Sequence, residues 1–304
     1  MQWSSRSKLL RGLLPLVTVG VAAWGQAPAP FGQQPRPGSI NYVEGQVSIG
    51  AETLNPADSN GRVLDRGQSL TTQVGKAEIL LTPGVFLRLA DNSTLKMVSP
   101  DLANTAVELE RGRAIIEALD IHPANNIRVV QNGATTRVVK KGLYDFDAAD
   151  DEVRVVKGAA QVTAASHAVT VNGAHKATMR ADGAISQPYE PKQDEDEFYR
   201  WCSLRSGYLS EASVDAGHVY LGAGPGLYGP GWYGFGWYWS PWFGVYTYLP
   251  ADGIFWSPFG WGFYSPTAVF WSPYRFYAPH FHAFREFHYP FGHGLPEPRR
   301  FGRR

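Results

Sequence analysis

The chain has 304 residues, of which 44% are hydrophobic and 18% are charged, and its formal net charge is +1. This near-neutral balance argues against a dedicated nucleic-acid-binding protein, which would normally carry a strongly basic face. The length accommodates one or two domains.

The first 25 residues have the pattern of a secretory signal peptide. Three basic residues near the start are followed by an apolar run from residue 13 to residue 24. A run of about twelve residues is shorter than the roughly 20 that span a bilayer. Ala23 and Gly25 supply the small residues that precede a signal-peptidase site. We expect cleavage after Gly25, export to the periplasm or cell envelope, and no membrane span after signal removal.

Residues 26–38 are rich in Pro and Gln and predict a linker. From residue 39 to residue 185 the chain alternates short apolar runs with turn signals, and Val85, Leu87 and Leu89 share one strand face. Turn signals at 44–45 and 82–84 predict hairpins. About a dozen short strands without helical periodicity predict a mainly β sandwich or roll closed over one core.

Three short segments of this β region share a common plan. In each segment a glycine follows a strand and precedes a small or β-branched residue. The segments are 43–47, 110–114 and 156–160. Each glycine is predicted to adopt a positive φ at a tight reversal.

Seven ordered segments of the β region resemble the FecR domain, and together they extend over nearly half of the chain. They are GQV at 45–47, LDRGQSLTT at 64–72, GKAEI at 75–79, PGVFLRL at 83–89, DNSTL at 91–95, VELERGR at 107–113 and GLYDFD at 142–147. The resemblance implies an extracytoplasmic β domain that binds or regulates and catalyses no reaction. Iron-signalling members of that family carry a cytoplasmic anti-sigma segment and a membrane span before the domain. Here the predicted signal peptide stands in that place, so their signalling role is not expected to carry over.

Residues 186–216 predict a linker followed by an amphipathic helix from about residue 194 to residue 214. Acidic residues at 194–197 favour the positive end of the helix dipole. Cys202, the only cysteine of the chain, is predicted to be a buried free thiol. One face of the helix is predicted to dock onto the β domain, and it consists of Phe198, Trp201, Cys202, Arg205, Tyr208, Leu209 and Ala212.

Residues 217–304 form a low-complexity tail, rich in Gly and Pro, for which we expect little regular structure. The tail contains 29 of the 41 aromatic residues, and Trp-Ser-Pro recurs at 239–241, 256–258 and 271–273, with Tyr-Ser-Pro at 264–266. Exposed rings of this kind are stacking surfaces for sugars or for other aromatic groups. The alternatives are packing within the chain, contact with a glycan or the cell wall, and association with a protein or another copy. The candidate interaction residues are Trp239, Trp242, Trp256, Trp261 and Trp271.

No motif in the chain predicts catalysis, a cofactor or a metal. The glycine-rich run at 222–229 lacks the preceding strand and following helix of a phosphate-binding loop. His280 and His282 are spaced for one strand face, but no cluster of carboxylates or cysteines completes a metal site. We therefore expect a non-enzymatic exported envelope protein that acts in binding, scaffolding or regulation. The alternative is a cell-wall or polysaccharide-binding protein that uses the aromatic tail. Its partner is expected to be an envelope protein or a cell-wall glycan, and not a nucleic acid.

Overall fold

A computed structural model describes residues 35–56, 61–122, 124–165, 167–222 and 234–271. The predicted signal peptide, most of the linker at 26–38, and the glycine-rich run after residue 222 lie outside these ranges. So do His280 and His282. Among the helices of the described ranges, none is long and apolar enough to cross a membrane.

Within the described ranges, fifteen strands form one large sheet, which confirms the mainly β prediction. Its central part follows the order β13-β12-β9-β8-β6-β5-β3-β4-β7-β10-β11-β14-β15, while β1 pairs with β2 and β3. All pairings are antiparallel except that of β6 with β8. The strands are β1 (Ser39–Ile49), β2 (Glu52–Leu54), β3 (Ser69–Leu80), β4 (Val85–Leu89), β5 (Thr94–Asp101), β6 (Asn104–Arg111), β7 (Arg113–Ala118), β8 (Arg128–Gln131), β9 (Ala134–Val138), β10 (Gly142–Asp147), β11 (Glu152–Lys157), β12 (Ala159–Ala164), β13 (His167–Asn172), β14 (His175–Arg180) and β15 (Gly183–Pro188).

The sheet curls so that β13 and β15, at the two ends of the order, contact each other. One face of the strands therefore encloses the main hydrophobic core. Alternation along β4 illustrates this arrangement, because Val85, Leu87 and Leu89 point into that core. Phe86 and Arg88 point the opposite way, yet they too are fully buried.

The opposite face of β3, β4, β7 and β10, here called the outer face, is covered by a helix and by part of the tail. After a 3-10 turn (Pro191–Asp194), helix α1 spans Glu197–Gly222. Leu209 and Ala212 of α1 pack with Leu80 and Phe86 of the sheet and with Tyr248 of the tail. The tail elements are β16 (Gly236–Ser240), β17 (Val245–Leu249), β18 (Ile254–Trp256), β19 (Gly262–Tyr264) and helix α2 (Pro266–Trp271).

The predicted helix is confirmed, although its bounds shift toward the C-terminus. It begins at Glu197 because Asp196 caps it, accepting a hydrogen bond from the Tyr199 amide at 2.9 Å. Within the predicted docking face, Phe198, Cys202 and Leu209 are buried. Cys202 is a free and buried thiol, as predicted.

Two local expectations differ from the structure. The predicted hairpin at 44–45 is a bulge inside the continuous strand β1, where Gly45 (φ 66°) lies directly against the backbone of Val74 and Gly75. Tail residues 234–271, expected to be irregular, form four strands and a short helix. The reason is that α1 and the outer face provide the apolar surface that these short elements need.

Gly112 and Gly158 do have positive φ, as predicted, at 79° and 101°. Neither lies at a hairpin, however, because β6 does not pair with β7 and β11 does not pair with β12. Each glycine instead marks a corner at which the chain moves between separate parts of the sheet.

Candidate interaction surface

A buried ionic cluster fixes α1 to the outer face. Arg88 Nε donates to Glu78 Oε2 at 2.8 Å, and Arg88 Nη1 donates to Glu117 Oε2 at 2.7 Å. Arg205 Nη2 of α1 completes the cluster by donating to Glu78 Oε1 at 2.9 Å. The side chains of Glu78, Arg88 and Glu117 are inaccessible to solvent, so each charge depends on these partners.

Aromatic rings and an amide enclose the Arg205 end of the cluster. The guanidinium lies 4.0 Å from the ring centroid of Tyr42 and 5.0 Å from that of Tyr208. The Asn41 amide donates to Glu78 Oε1 at 2.9 Å, and it also exchanges hydrogen bonds with the backbone of Tyr246 at 2.8 and 2.9 Å. The sheet, the helix and the tail strand β17 therefore meet at one polar point.

The ionic cluster sets the protonation of its buried groups. Burial by itself would raise the pKa of Glu78, but the charges of Arg205 and Arg88 outweigh it, and the pKa lies below its ordinary value. Burial raises the pKa of the Cys202 thiol well above its ordinary value, and Arg88 only partly opposes this. Cys202 is thus a neutral packing group rather than a reactive thiolate.

A second ionic cluster holds the start of α1. Arg113 of β7 donates to both carboxylate oxygens of Asp145, at 2.9 and 2.7 Å, and also pairs with the helix-capping residue Asp196. Burial raises the pKa of Asp145, an effect that Arg113 and Arg154 reduce but do not cancel. The first turn of α1 is therefore tied to strands β7 and β10.

The repeated aromatic-Ser-Pro motif has a clear structural role in the three copies whose serine is described. Ser240, Ser257 and Ser265 are all buried. Their hydroxyls accept hydrogen bonds from the amides of Phe243 at 3.3 Å, Phe259 at 3.1 Å and Ala268 at 3.1 Å. Each serine therefore caps the turn that its proline begins, as serine does in ST turns and at helix N-termini.

Two of these serines, Ser240 and Ser257, also join the tail to α1 and the sheet. Ser240 Oγ donates to Asp215 Oδ2 of α1 at 2.6 Å. Ser257 Oγ donates to Glu117 Oε1, which also accepts a hydrogen bond from Ser206 Oγ of α1 at 2.6 Å. The serine of the motif thus points inward and supports the fold.

The five predicted tryptophans divide into two groups. Trp242, Trp256 and Trp271 are 73%, 63% and 79% exposed, respectively. Trp239 and Trp261 are half-buried: Trp239 lies edge-on to Tyr246 at 5.0 Å, and Trp261 lies on Gly207 of α1. The structure therefore leaves the first three as surface candidates and gives the other two a packing role.

Further candidates are visible only in the structure. Phe270, 61% exposed, lies beside Trp271 with ring centroids 5.3 Å apart. Lys141 and Lys157 of the β domain contact the segment around Trp256. No sequence pattern pointed to the lysines, because they precede Trp256 by about a hundred residues and belong to other parts of the chain. Within the described ranges, no group of His, Cys, Asp and Glu is arranged to hold a metal ion.

No protein-family model and no curated protein sequence matches the chain. Two crystal structures of proteins provisionally identified as anti-sigma factors from Parabacteroides distasonis resemble part of the fold. The structure at 2.50 Å resolution has 14% sequence identity and a TM-score of 0.36, covering 41% of this chain and 60% of that one. The structure at 1.65 Å has 13% identity and a TM-score of 0.37, covering 44% and 64%. The chain thus spans less than two thirds of either relative, and likeness at this level assigns no activity.

Proposed function

We propose that this chain is a non-enzymatic binding or scaffolding protein of the cell envelope, and that exposed tryptophans of its tail contact the partner. The observation that carries the proposal is the exposure of Trp242, Trp256 and Trp271 on a tail whose serines are buried. A tryptophan left in water forgoes roughly 2 kcal/mol of burial, so a partner surface that covers the rings is strongly favoured. The signal-peptide pattern and the resemblance to FecR support the envelope as the location.

Fixed backbone geometry strengthens this interpretation. Ser257 accepts a hydrogen bond from the Phe259 amide and pairs with Glu117, while Trp256, the residue before it, is exposed. Because the inward serine is held by the core, the ring beside it is presented without a large loss of backbone freedom on binding. Such preorganised rings are typical of interaction surfaces.

The test is co-sedimentation of the full chain with isolated cell envelopes. Envelopes are assayed before and after protease treatment, so that protein and glycan partners are distinguished. The variant W242A/W256A/W271A is expected to lose at least about tenfold in affinity, since each hot-spot ring contributes on the order of 1–2 kcal/mol. Its thermal midpoint should stay at the wild-type value because all three rings are exposed.

The matched control replaces a buried ring of the same type. W237A removes a side chain that packs edge-on against Phe86, with centroids 4.9 Å apart. It should lower the thermal midpoint while its folded fraction still binds envelopes. Wild-type affinity in the triple variant would refute the proposal.

A further inference from the structure

A row of aromatic rings runs along one side of α1. Trp201 stacks on Phe198, with ring centroids 6.1 Å apart, and its ring centroid lies 6.4 Å from that of Tyr42 of β1. Tyr208 continues the row, because its ring and that of Tyr42 enclose the guanidinium of Arg205. The helix and strand β1 therefore form one continuous aromatic strip.

The side of this strip that faces away from the sheet is open. Leu204 lies between Trp201 and Tyr208 on the helix surface and is 41% exposed. Tyr42, Trp201 and Tyr208 are each half-buried. These four residues are here called the α1 seam. The described part of the chain thus leaves an apolar surface only partly covered.

Carboxylates border the α1 seam. The side chain of Glu197, in the first turn of α1, is 86% exposed, and its Oε1 lies 3.8 Å from the Lys76 ammonium, near the limit of an ion pair. Glu44 accepts a hydrogen bond from the Tyr42 hydroxyl at 3.2 Å and has no basic partner among the described residues. Arg200, an exposed cation of the same helix, donates to a backbone carbonyl at 3.3 Å. Both carboxylates can therefore accept further cations.

We propose that residues 299–304 of this chain, with the sequence Arg-Arg-Phe-Gly-Arg-Arg, dock on the α1 seam. Phe301 packs on Leu204, while the arginines on either side of it stack on the seam rings and pair with Glu44 and Glu197. Arginine suits both contacts, because its planar guanidinium stacks on aromatic faces and forms ion pairs with carboxylates.

Charge and chain length single out this segment as the occupant. Residues 272–304 contain six arginines and two glutamates, whereas acidic residues outnumber basic ones in the described ranges. Four of the six arginines flank Phe301 within 299–304. The 27 residues between Trp271 and residue 299 can extend about 90 Å, whereas α1 is only about 40 Å long. The segment is therefore complementary in charge and within reach.

The test is a pulsed electron paramagnetic resonance distance measurement on the full chain. Nitroxide labels are attached at Arg200→Cys and Gly302→Cys, while the native Cys202 is buried and stays unlabelled. A docked segment should give a narrow distance distribution below about 25 Å, whereas an undocked stretch of this length should give a broad one centred near 30 Å or beyond. Salt at 1 M should reduce the docked population, because the ion pairs at the surface are screened.

Variants of the seam are compared in the same labelled background. E44Q/E197Q should lower the ratio of docked to undocked molecules about fivefold, because two ion pairs are lost. The matched control E108Q/E110Q removes two partly exposed carboxylates of β6 and should retain the original distribution.

Variants of the segment give the reciprocal test. R299Q/R300Q should lower the same ratio about fivefold. The matched control R275Q/R285Q removes two arginines from the same 33-residue stretch and should have little effect.

Three outcomes would overturn the proposal. The first is a broad distribution in the labelled chain without further substitutions, and the second is an unchanged distribution in E44Q/E197Q and R299Q/R300Q. The third is loss of the short distance when the labelled chain is mixed with a tenfold excess of unlabelled chain, which would assign the segment on the seam to a second copy. Because Trp242, Trp256 and Trp271 are not part of the seam, none of these outcomes affects the proposed function.

Discussion

Arg205 of α1 donates a hydrogen bond of 2.9 Å to Glu78 of β3, although the two residues are 127 positions apart. Glu78 is fully buried and also pairs with Arg88. The helix therefore supplies a charge that the outer face of the sheet needs, and its position on the sheet is fixed by that pairing. Asn41, which donates a hydrogen bond to Glu78, also accepts one from the Tyr246 amide, and this contact fixes strand β17 of the tail.

Replacing Arg205 by Met should destabilise the protein by about 3 kcal/mol, because the Glu78 carboxylate would lose a buried partner. Urea denaturation measures the change in the free energy of unfolding. Arg200→Met is the matched control, since Arg200 is exposed on the same helix, and a change within about 0.5 kcal/mol is expected there. In a double-mutant cycle, Glu78→Gln should cost less in the Arg205→Met variant than in the wild type. Strict additivity would contradict the coupling.

Stability should fall at acid pH through Glu78. Its pKa is lowered in the folded protein from an ordinary value of 4.5, so its contribution is fully present above that pH and is lost as the pH falls through the lowered pKa. The free energy of unfolding should therefore decline from about pH 5 downward, and less steeply in Glu78→Gln. Glu108→Gln, which alters a half-exposed pair with Lys96, should retain the wild-type slope. Parallel slopes in all three proteins would contradict the prediction.

Ser257→Ala tests whether the tail is bound to the ionic cluster. The serine donates to Glu117, and its removal would leave this buried carboxylate with one partner fewer. A cost of about 1–3 kcal/mol is expected from urea denaturation. Ser186→Ala, on the half-exposed strand β15, is the control and should have little effect. Equal stability of the Ser257 variant and the wild type would mean that this hydrogen bond does not stabilise the contact between the tail and the ionic cluster.

The sequence predicted the β architecture and the docking helix because both have strong periodicity. Val85, Leu87 and Leu89 alternate with Phe86 and Arg88, so one buried face was evident. The burial of the second face was not evident from the sequence. In the sequence, Glu78, Arg88 and Glu117 look like solvent-facing charges, and only the structure shows their partner Arg205. This pairing joins residues distant in the chain, and no local pattern encodes it.

The aromatic tail was only partly predictable, for a related reason. The repeated Trp-Ser-Pro triplets drew attention to tryptophan, yet composition does not separate the exposed Trp256 from the half-buried Trp261. That difference arises from the turn that Ser257 caps and from the contact of Trp261 with Gly207. The short strands of the tail have too few residues to show a period of their own.

Gly207 lies beneath Trp261, and a Cβ at this position would be 3.0 Å from the indole. Alanine is normally favoured over glycine within a helix by about 1 kcal/mol. In the wild type, Gly207→Ala should give no net stabilisation, because the added methyl group would press against the indole. In the Trp261→Ala variant, the same substitution should raise the free energy of unfolding by about 1 kcal/mol, as measured by urea denaturation. Stabilisation of equal size in both backgrounds would mean that the ring does not pack there.

Hydroxyl-radical footprinting of the full chain, read out by mass spectrometry with and without isolated envelopes, tests the central claim most directly. In the free protein, oxidation should be fast at Trp242, Trp256 and Trp271 and slow at Trp237, in keeping with their exposure. Binding to envelopes should protect at least Trp256 and leave Trp237 unchanged. Rapid oxidation of Trp237 in the free protein, or unchanged oxidation of all three exposed tryptophans on binding, would contradict the account.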